Sequence, residues 1–493
     1  MPKKNITIEE SAQLNNRLSQ LSRRSFLASA VGLAGCALHS EQDRKFERVN
    51  DQSKTAWALA RKIIRNIKAP TFPKRDFHAV DFGAKADGSH NTRAFANAIA
   101  ACHQSGGGRV IVPKGDFVTG PIHLLSNVNL HLEEGCTLLF STNAKDYLPV
   151  VFTRWEGMEL MSYSPLVYAY QQQNIALTGK GKLDGQADEF TWWPWKGGSW
   201  KSAKNWSKEG IATQDAARKK LEQDVEANRP VSQRIYGEGS QLRPPFVQFY
   251  ECKNCLIEDI TITRAPFWLI NPVLCENVII RDVTCSSLGP NSDGCDPESC
   301  KNLIIENCFF DTGDDCIAIK SGRNADGRRL NIPSENIVIR NCKMRNGHGG
   351  IVIGSEISGG ARNIFAENCV MSSHELERGL RFKTNSVRGG TIENIFFRNI
   401  DIGDVQTAIV IDFDYEEGDT GQFPPTVKNI EVRDLHCKNA QQIFNVKGYL
   451  RSPIRNLHLV NSHFDKAVDI GRLENMDGFL SSDVSISGKP FSI

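Results

Sequence analysis

One short pattern limits what this chain can fold into. An Asn, an apolar residue, a free position, a second apolar residue, another free position and a closing Asn or Asp recur along it. The pattern starts at Asn254, Asn277, Asn302, Asn336, Asn363, Asn394, Asn429 and Asn456, at spacings of 23, 25, 34, 27, 31, 35 and 27 residues. Less complete relatives begin at Asn127 (NVNLHL) and Asn174 (NIALTG). Each unit holds short alternating strands between Gly, Asn and Asp turns, and none can bury a face alone. Stacked in register, the units make an all-β solenoid, a right-handed parallel β-helix. Aligned Asn amides then share hydrogen bonds from coil to coil, and Val/Ile ladders fill the interior. A leucine-rich horseshoe does not fit, because the spacing varies and no Leu-x-x-Leu-x-Leu frame persists. Uneven spacing means turns of unequal length, and such turns shape a groove.

Other segments read differently. Residues 37–75 are polar and charged apart from one helical pattern, Trp57-Ala58-Leu59-Ala60 through Ile63, Ile64 and Ile67. They are expected to form a linker and a short helix packed on the main domain. Asn91 or Thr92 caps a second helix with the apolar face Ala94, Phe95, Ala98, Ile99 and Cys102, ended by Gly106-Gly107-Gly108. That helix covers the open end of the first coil. The β-helix is expected over 76–493, with an insertion at about 186–240. The insertion carries five of the eight Trp residues (Trp192, Trp193, Trp195, Trp200, Trp206), many Lys and a helical run from about Ala212 to Ala227. Trp faces with cations suit sugar stacking and carboxylate capture. For any single Trp, packing of the insertion onto the coils is the plainer reading; for the whole segment, a wall closing a groove is.

Composition adds exclusions. A net charge of +2 gives no whole-molecule pull toward nucleic acid or an acidic membrane. At 40% hydrophobic and 24% charged residues the chain resembles ordinary soluble proteins, and no apolar run is long enough to span a bilayer. Residues 1–36 read as an export signal. Ser22-Arg23-Arg24-Ser25-Phe26-Leu27 has the form of a twin-arginine signal ahead of an apolar stretch at 28–38. Leu33-Ala34-Gly35-Cys36 resembles a bacterial lipoprotein box, making Cys36 a lipidation candidate and the periplasm, with a lipid anchor to the membrane, the expected location. Of the 14 cysteines, Cys255, Cys308, Cys342 and Cys369 each follow an Asn of the repeat. Most are expected to be free, buried thiols, with at most one local bridge such as Cys295–Cys300.

The chemistry concentrates between Asn291 and Lys383. Asn291-Ser292-Asp293, Gly313-Asp314-Asp315, Gly347-His348-Gly349 and Arg381-Phe382-Lys383 fall on successive units. Counted from the Asn opening each unit, Asp293 is at +16, Asp314 and His348 at +12, and Arg381 at +18. All lie beyond the first strand of their own coil. Consecutive coils stand about 4.8 Å apart, so the groups are expected to cluster on one face. Crowding three carboxylates raises the pKa of at least one, leaving a protonated acid to meet a glycosidic oxygen while the others deprotonate a water. Arg381 and Lys383 leave the strand on one face, with Phe382 toward the core. Those cations suit an acidic sugar polymer.

These four motifs, in order and approximate spacing, resemble those of family 28 of the glycoside hydrolases, the polygalacturonases: Asn-Thr-Asp, a Gly- or Gln-led Asp-Asp, Gly-His-Gly and Arg-Ile-Lys. Asp412-Phe413-Asp414-Tyr415 resembles the family's Asp-x-Asp-Tyr stretch. The resemblance runs from about Asp76 to the C-terminus, outside much of the insertion. It implies that Asp314 is the general acid and that Asp293 and Asp315 activate water. It further implies that His348 supports the acid, that Asn291, Arg381, Lys383 and Tyr415 bind substrate, and that the anomeric centre inverts. Ser292 for Thr and Phe382 for Ile are the departures. The expected activity is cleavage of α-1,4-linked galacturonate in pectic polymer or oligomers, preferably from a chain end, by a monomer needing no cofactor or metal. Alternatives are a rhamnogalacturonan- or xylogalacturonan-directed relative, a calcium-dependent pectate lyase, and a non-catalytic carbohydrate-binding β-helix.

Overall fold

The computed structural model describes residues 44–198 and 205–492. The twin-arginine stretch, Cys36 and Trp200 lie outside the described residues. The chain divides into two compact units, Met1–Thr55 and Ala56–Ile493. A helix (α1) occupies 44–66, and of the first unit only its residues 44–55 are described.

The second unit is a right-handed parallel β-helix, one sheet of 26 strands in which coil follows coil in parallel register. The Asn pattern explains the stacking. Asn127, Asn174, Asn254, Asn277, Asn302, Asn336, Asn363, Asn394, Asn429 and Asn456 all sit at positive φ, between 52° and 65°, where Asn is tolerated better than most residues. Each after Asn127 donates its side-chain amide to the Asn one coil earlier, at 2.9–3.4 Å, in an unbroken ladder. The closing Asn does the same from Asp282 through Asn307, Asn341 and Asn368 to Asn399. Each strand is thus bent at both ends by a left-handed residue whose side chain also ties the coils together. The apolar positions between them, such as Val278, Leu303, Ile337 and Ile364, are buried in the interior stack.

The middle position of the same strands faces outward, and from Ala176 to Phe365 it is apolar. Trp57, Ala60, Ile63 and Ile67 cover Ala176, Leu256, Ile279, Ile304, Val338 and Phe365. A second helix, α2 (Thr92–Gln104), caps the first coils with the expected face buried: Ala94, Phe95, Ala98, Ile99 and Cys102. Asn91 precedes it, but its amide bonds Lys85, Ser89 and Val118 rather than the helix N-terminus.

Three non-coil pieces gather on one side. The insertion holds a 3-10 turn, Trp193–Lys196, and a helix α3, Asp215–Glu226. An antiparallel hairpin, Val151–Trp155 with Met158–Ser162, joins it through Ile235–Tyr236. A short helix α4, Asn324–Leu330, comes from a long turn between coils. The four described Trp residues of the insertion pack against the coils and one another: Trp192 against Tyr147 and Trp195, and Trp193 against Trp206.

The thirteen described cysteines are all buried and free, so the Cys295–Cys300 bridge does not form. The chain stays extended from Cys295 through Glu298, each bridged to the next coil, and bends only at Ser299. At about 3.3 Å per extended residue the two Cα atoms pass the roughly 7 Å limit for a disulfide. The Cys300 Sγ instead donates to the carbonyl of Pro272 at 3.2 Å.

Candidate active site

Strand register brings the sequence motifs together in two stacks. Cys295 pairs with Ile317, which pairs with Ile351, so Asp293 stacks on Asp315 and Asp314 on His348. The backbone confirms both: Gly294 N–H donates to Asp315 O at 2.9 Å and His348 N–H to Asp314 O at 3.1 Å. One oxygen from each of Asp293, Asp314 and Asp315 lies within 4.8 Å of the others.

Asp315 is fully buried, with Lys383 Nζ 2.5 Å from Oδ2 and Arg381 Nη1 3.4 Å from Oδ1. Gly349 makes this contact possible, since a Cβ there would stand 3.1 Å from Asp315 Oδ1 and 3.4 Å from Arg381 Cδ. Phe382 points inward against Phe397, leaving the two cations on the outer face. The Tyr415 ring lies 5.6 Å from the Arg381 guanidinium and 5.5 Å from Lys383 Nζ. Ser292 is wholly buried, and its hydroxyl meets that of Ser287 at 3.0 Å. Asn291 adopts φ 51°, and its side-chain oxygen accepts from Arg243 Nη2 at 2.7 Å.

Asp314 keeps 18% of its side chain exposed, against 4% for Asp293 and none for Asp315. Its Oδ1 is 3.0 Å from His348 Nδ1 and accepts from the Asp315 amide, also at 3.0 Å. The electrostatics separate the acids. Burial, with Asp296 and Asp314 beside it, pushes the Asp293 carboxyl well up. Burial works in the same direction on Asp314, but the charge and hydrogen bond of His348, with Lys383 and Lys320, hold it far below the carboxylate range. His348 is raised in turn, chiefly by Asp314. The crowded carboxyl that takes up a proton is therefore Asp293, and the Asp314–His348 pair rests as an ion pair.

Sequence reasoning missed Lys320. Its ammonium is buried 2.8 Å from Glu356, 3.6 Å from Asp296 and 3.9 Å from Asp293, with the Trp268 ring at 4.5 Å. Register aligns Lys320 with Gly354 and so with Lys383, two coils on. That phase was the available signal, hidden because Ile317-Ala318-Ile319-Lys320 reads as plain strand. Beyond the acids runs a belt of ion pairs. Glu156, at the hairpin tip, takes Arg218 of α3 and Arg323; Arg323 also takes Glu222 of α3 at 2.9 Å and lies 3.7 Å from Glu416. Arg388 closes the belt on Glu416 and Glu417, beside Tyr415.

The model of the family described as Glycosyl hydrolases family 28 matches residues 228–452. A solved structure, that of a hyperthermoactive exopolygalacturonase from Thermotoga maritima, is 42% identical, with a TM-score of 0.83 over 88% of this chain and 97% of that one. The chain belongs to glycosyl hydrolase family 28. An exo-poly-alpha-D-galacturonosidase of Dickeya chrysanthemi is 30% identical over 73% of this chain and 62% of the relative. A probable polygalacturonase of Vitis vinifera is 27% identical over 78% of this chain and 72% of the relative. As a family 28 member the protein is a glycosidase, and its carboxylate cluster lies inside the matched segment.

Proposed function

We propose that the protein hydrolyses α-1,4 linkages between galacturonate units, releasing short products from a chain end. One observation carries the reading: an exposed acid, Asp314, stands beside two deeply buried ones, with Arg381, Lys383 and Tyr415 grouped next to them. A polymer with a carboxylate on every sugar meets cations there and a glycosidic oxygen can reach only Asp314.

Asp314 serves as general acid, drawing on the single proton it shares with His348. Asp293 and Asp315 hold the attacking water between them. Asp315, with a cation at each oxygen, takes its proton, and Asp293 orients it through an oxygen that has no hydrogen-bond partner among the described residues. Asn291, tied to Arg243, holds the loop that carries Asp293 at the substrate's edge. The oxygens of the three acids are closer than the roughly 6.5–9.5 Å usual between inverting carboxyls. Burial supports inversion all the same, because neither Asp293 nor Asp315 is exposed enough to bond a sugar carbon. The insertion and the ion-pair belt support action at a chain end, since they wall one side of the acids. The relatives named for exo action point the same way. Export by the twin-arginine stretch, with Cys36 lipidated and the enzyme held in the periplasm, belongs to this proposal; an acylated N-terminal Cys36 in the mature protein's mass spectrum supports it.

A time course on polygalacturonic acid tests the function. Saturated monomer or dimer from the first minutes, slow loss of viscosity and first-formed sugar of inverted configuration are expected. Mid-sized oligomers would overturn the chain-end reading, and unsaturated, chelator-sensitive products would replace hydrolysis with elimination.

A further inference from the structure

We propose that Lys196 is a specificity residue, a cation that the insertion holds for the carboxylate of the substrate's terminal sugar, on the other side of the acids from Arg381 and Lys383. The inference rests on the galacturonan reading above and names a residue outside the four motifs.

Placement comes first. The turn Trp193–Lys196 is pinned to the coils that precede Asp314 through Trp193 and to Gln214 of the insertion through Trp195. Trp193 Nε1 donates to Ala265 O at 3.0 Å, and its ring lies so close to Gly289 that a Cβ there would stand 2.2 Å from it. Gln214 N–H donates to Trp195 O at 2.8 Å, and its side-chain oxygen accepts from Arg243, which holds Asn291. The turn therefore sits over the loop bearing Asp293. Arg381 and Lys383 come from the coil after His348, so the acids lie between the two sets of cations.

Among the described residues Lys196 also has no partner. Its exposure is 9%, yet among the described residues it makes no hydrogen bond or ion pair. The charges around it are Glu156, Arg243, Arg218 and Asp314. Glu156 is already paired with Arg218 and Arg323, and Asp314 with His348. Arg243 spends its N–H groups on Pro266 O, Pro290 O, Asn291 and Gln214. A largely desolvated ammonium with no hydrogen-bonded counterion among the described residues is costly, and that desolvation lowers its affinity for the proton. An incoming carboxylate removes that cost and gains a charge-assisted hydrogen bond. The site thus favours a charged terminal sugar over a neutral one.

The test compares trigalacturonate with a trimer whose terminal, first-released unit is galactose, using the full chain. Lys196→Met is expected to raise KM for trigalacturonate about 10- to 100-fold, the range for losing one charged hydrogen bond, with kcat changed far less. The same variant is expected to leave KM for the galactose-ended trimer within two-fold, and Lys196→Arg to restore part of the loss. An unchanged KM for trigalacturonate, or equal losses on both trimers, overturns the proposal. If the Met variant melts early, Lys196→Gln carries the same comparison. Failure of the underlying reading shows separately, as a parent protein that cleaves neither trimer.

Discussion

At the scale of single residues, the site is arranged by who neutralises whom. Asp314 and His348 share one proton, and His348 is raised by Asp314. A proton needed for catalysis is present below that raised value and lost as pH climbs through it, so activity should fall on an alkaline limb above the ordinary His value of about 6.5. His348→Gln removes the partner and should move that limb and lower kcat about 100-fold or more, as a pH–rate profile will show. An unmoved limb assigns the proton elsewhere. Lys383 and Asp315 form a pair buried to 7% and 0% exposure. Lys383→Met leaves that carboxylate with Arg381 alone and should cost about 3 kcal/mol in a denaturant melt. Adding Asp315→Asn should return most of that stability without returning activity, separating the pair's two contributions.

Among the elements, the ladder positions were legible because their conformation demands a residue type. A left-handed bend at the start of every strand selects Asn, and the same amide spans the coil spacing. The face of α2 was legible through its 3.6-residue period. The hairpin at Val151–Ser162 was not, because it adds strands outside the repeat and its turn, Glu156-Gly157, looks like any other. That the acids cluster was legible through phase, but their exact stacking was not: Asp293 falls on Asp315, since the turn before Asp293 is longer than the one before Asp315. Which carboxyl is pushed up was not legible either. Burial and neighbouring charge decide that, and neither can be read from spacing. The insertion carries the prediction at this scale. Removing 190–235 takes away the Trp193 dock, Lys196 and α3, and should shift products from monomer and dimer toward mid-sized oligomers while raising the rate on long polymer. Unchanged product lengths on a sizing column would detach the insertion from end selection.

Over the whole molecule, the thirteen buried thiols have a kinetic consequence. A thiol reagent in contact with the folded protein has no accessible sulfur among these positions. Modification must wait for the coils to part, so labelling becomes a clock for opening. The sulfurs are spread from Cys102, on the buried face of α2, to Cys437 near the last coils, with Cys295, Cys308, Cys316 and Cys342 in the middle. Mass spectrometry of pulse-labelled protein should therefore give an opening map along the axis, with Cys102 and Cys437 reacting first and the central set slowest. Simultaneous reaction of all thirteen would mean that the solenoid opens as one cooperative body. Ordered reaction would mean that it frays inward from its ends, and that the coils carrying the acids outlast the rest of the fold.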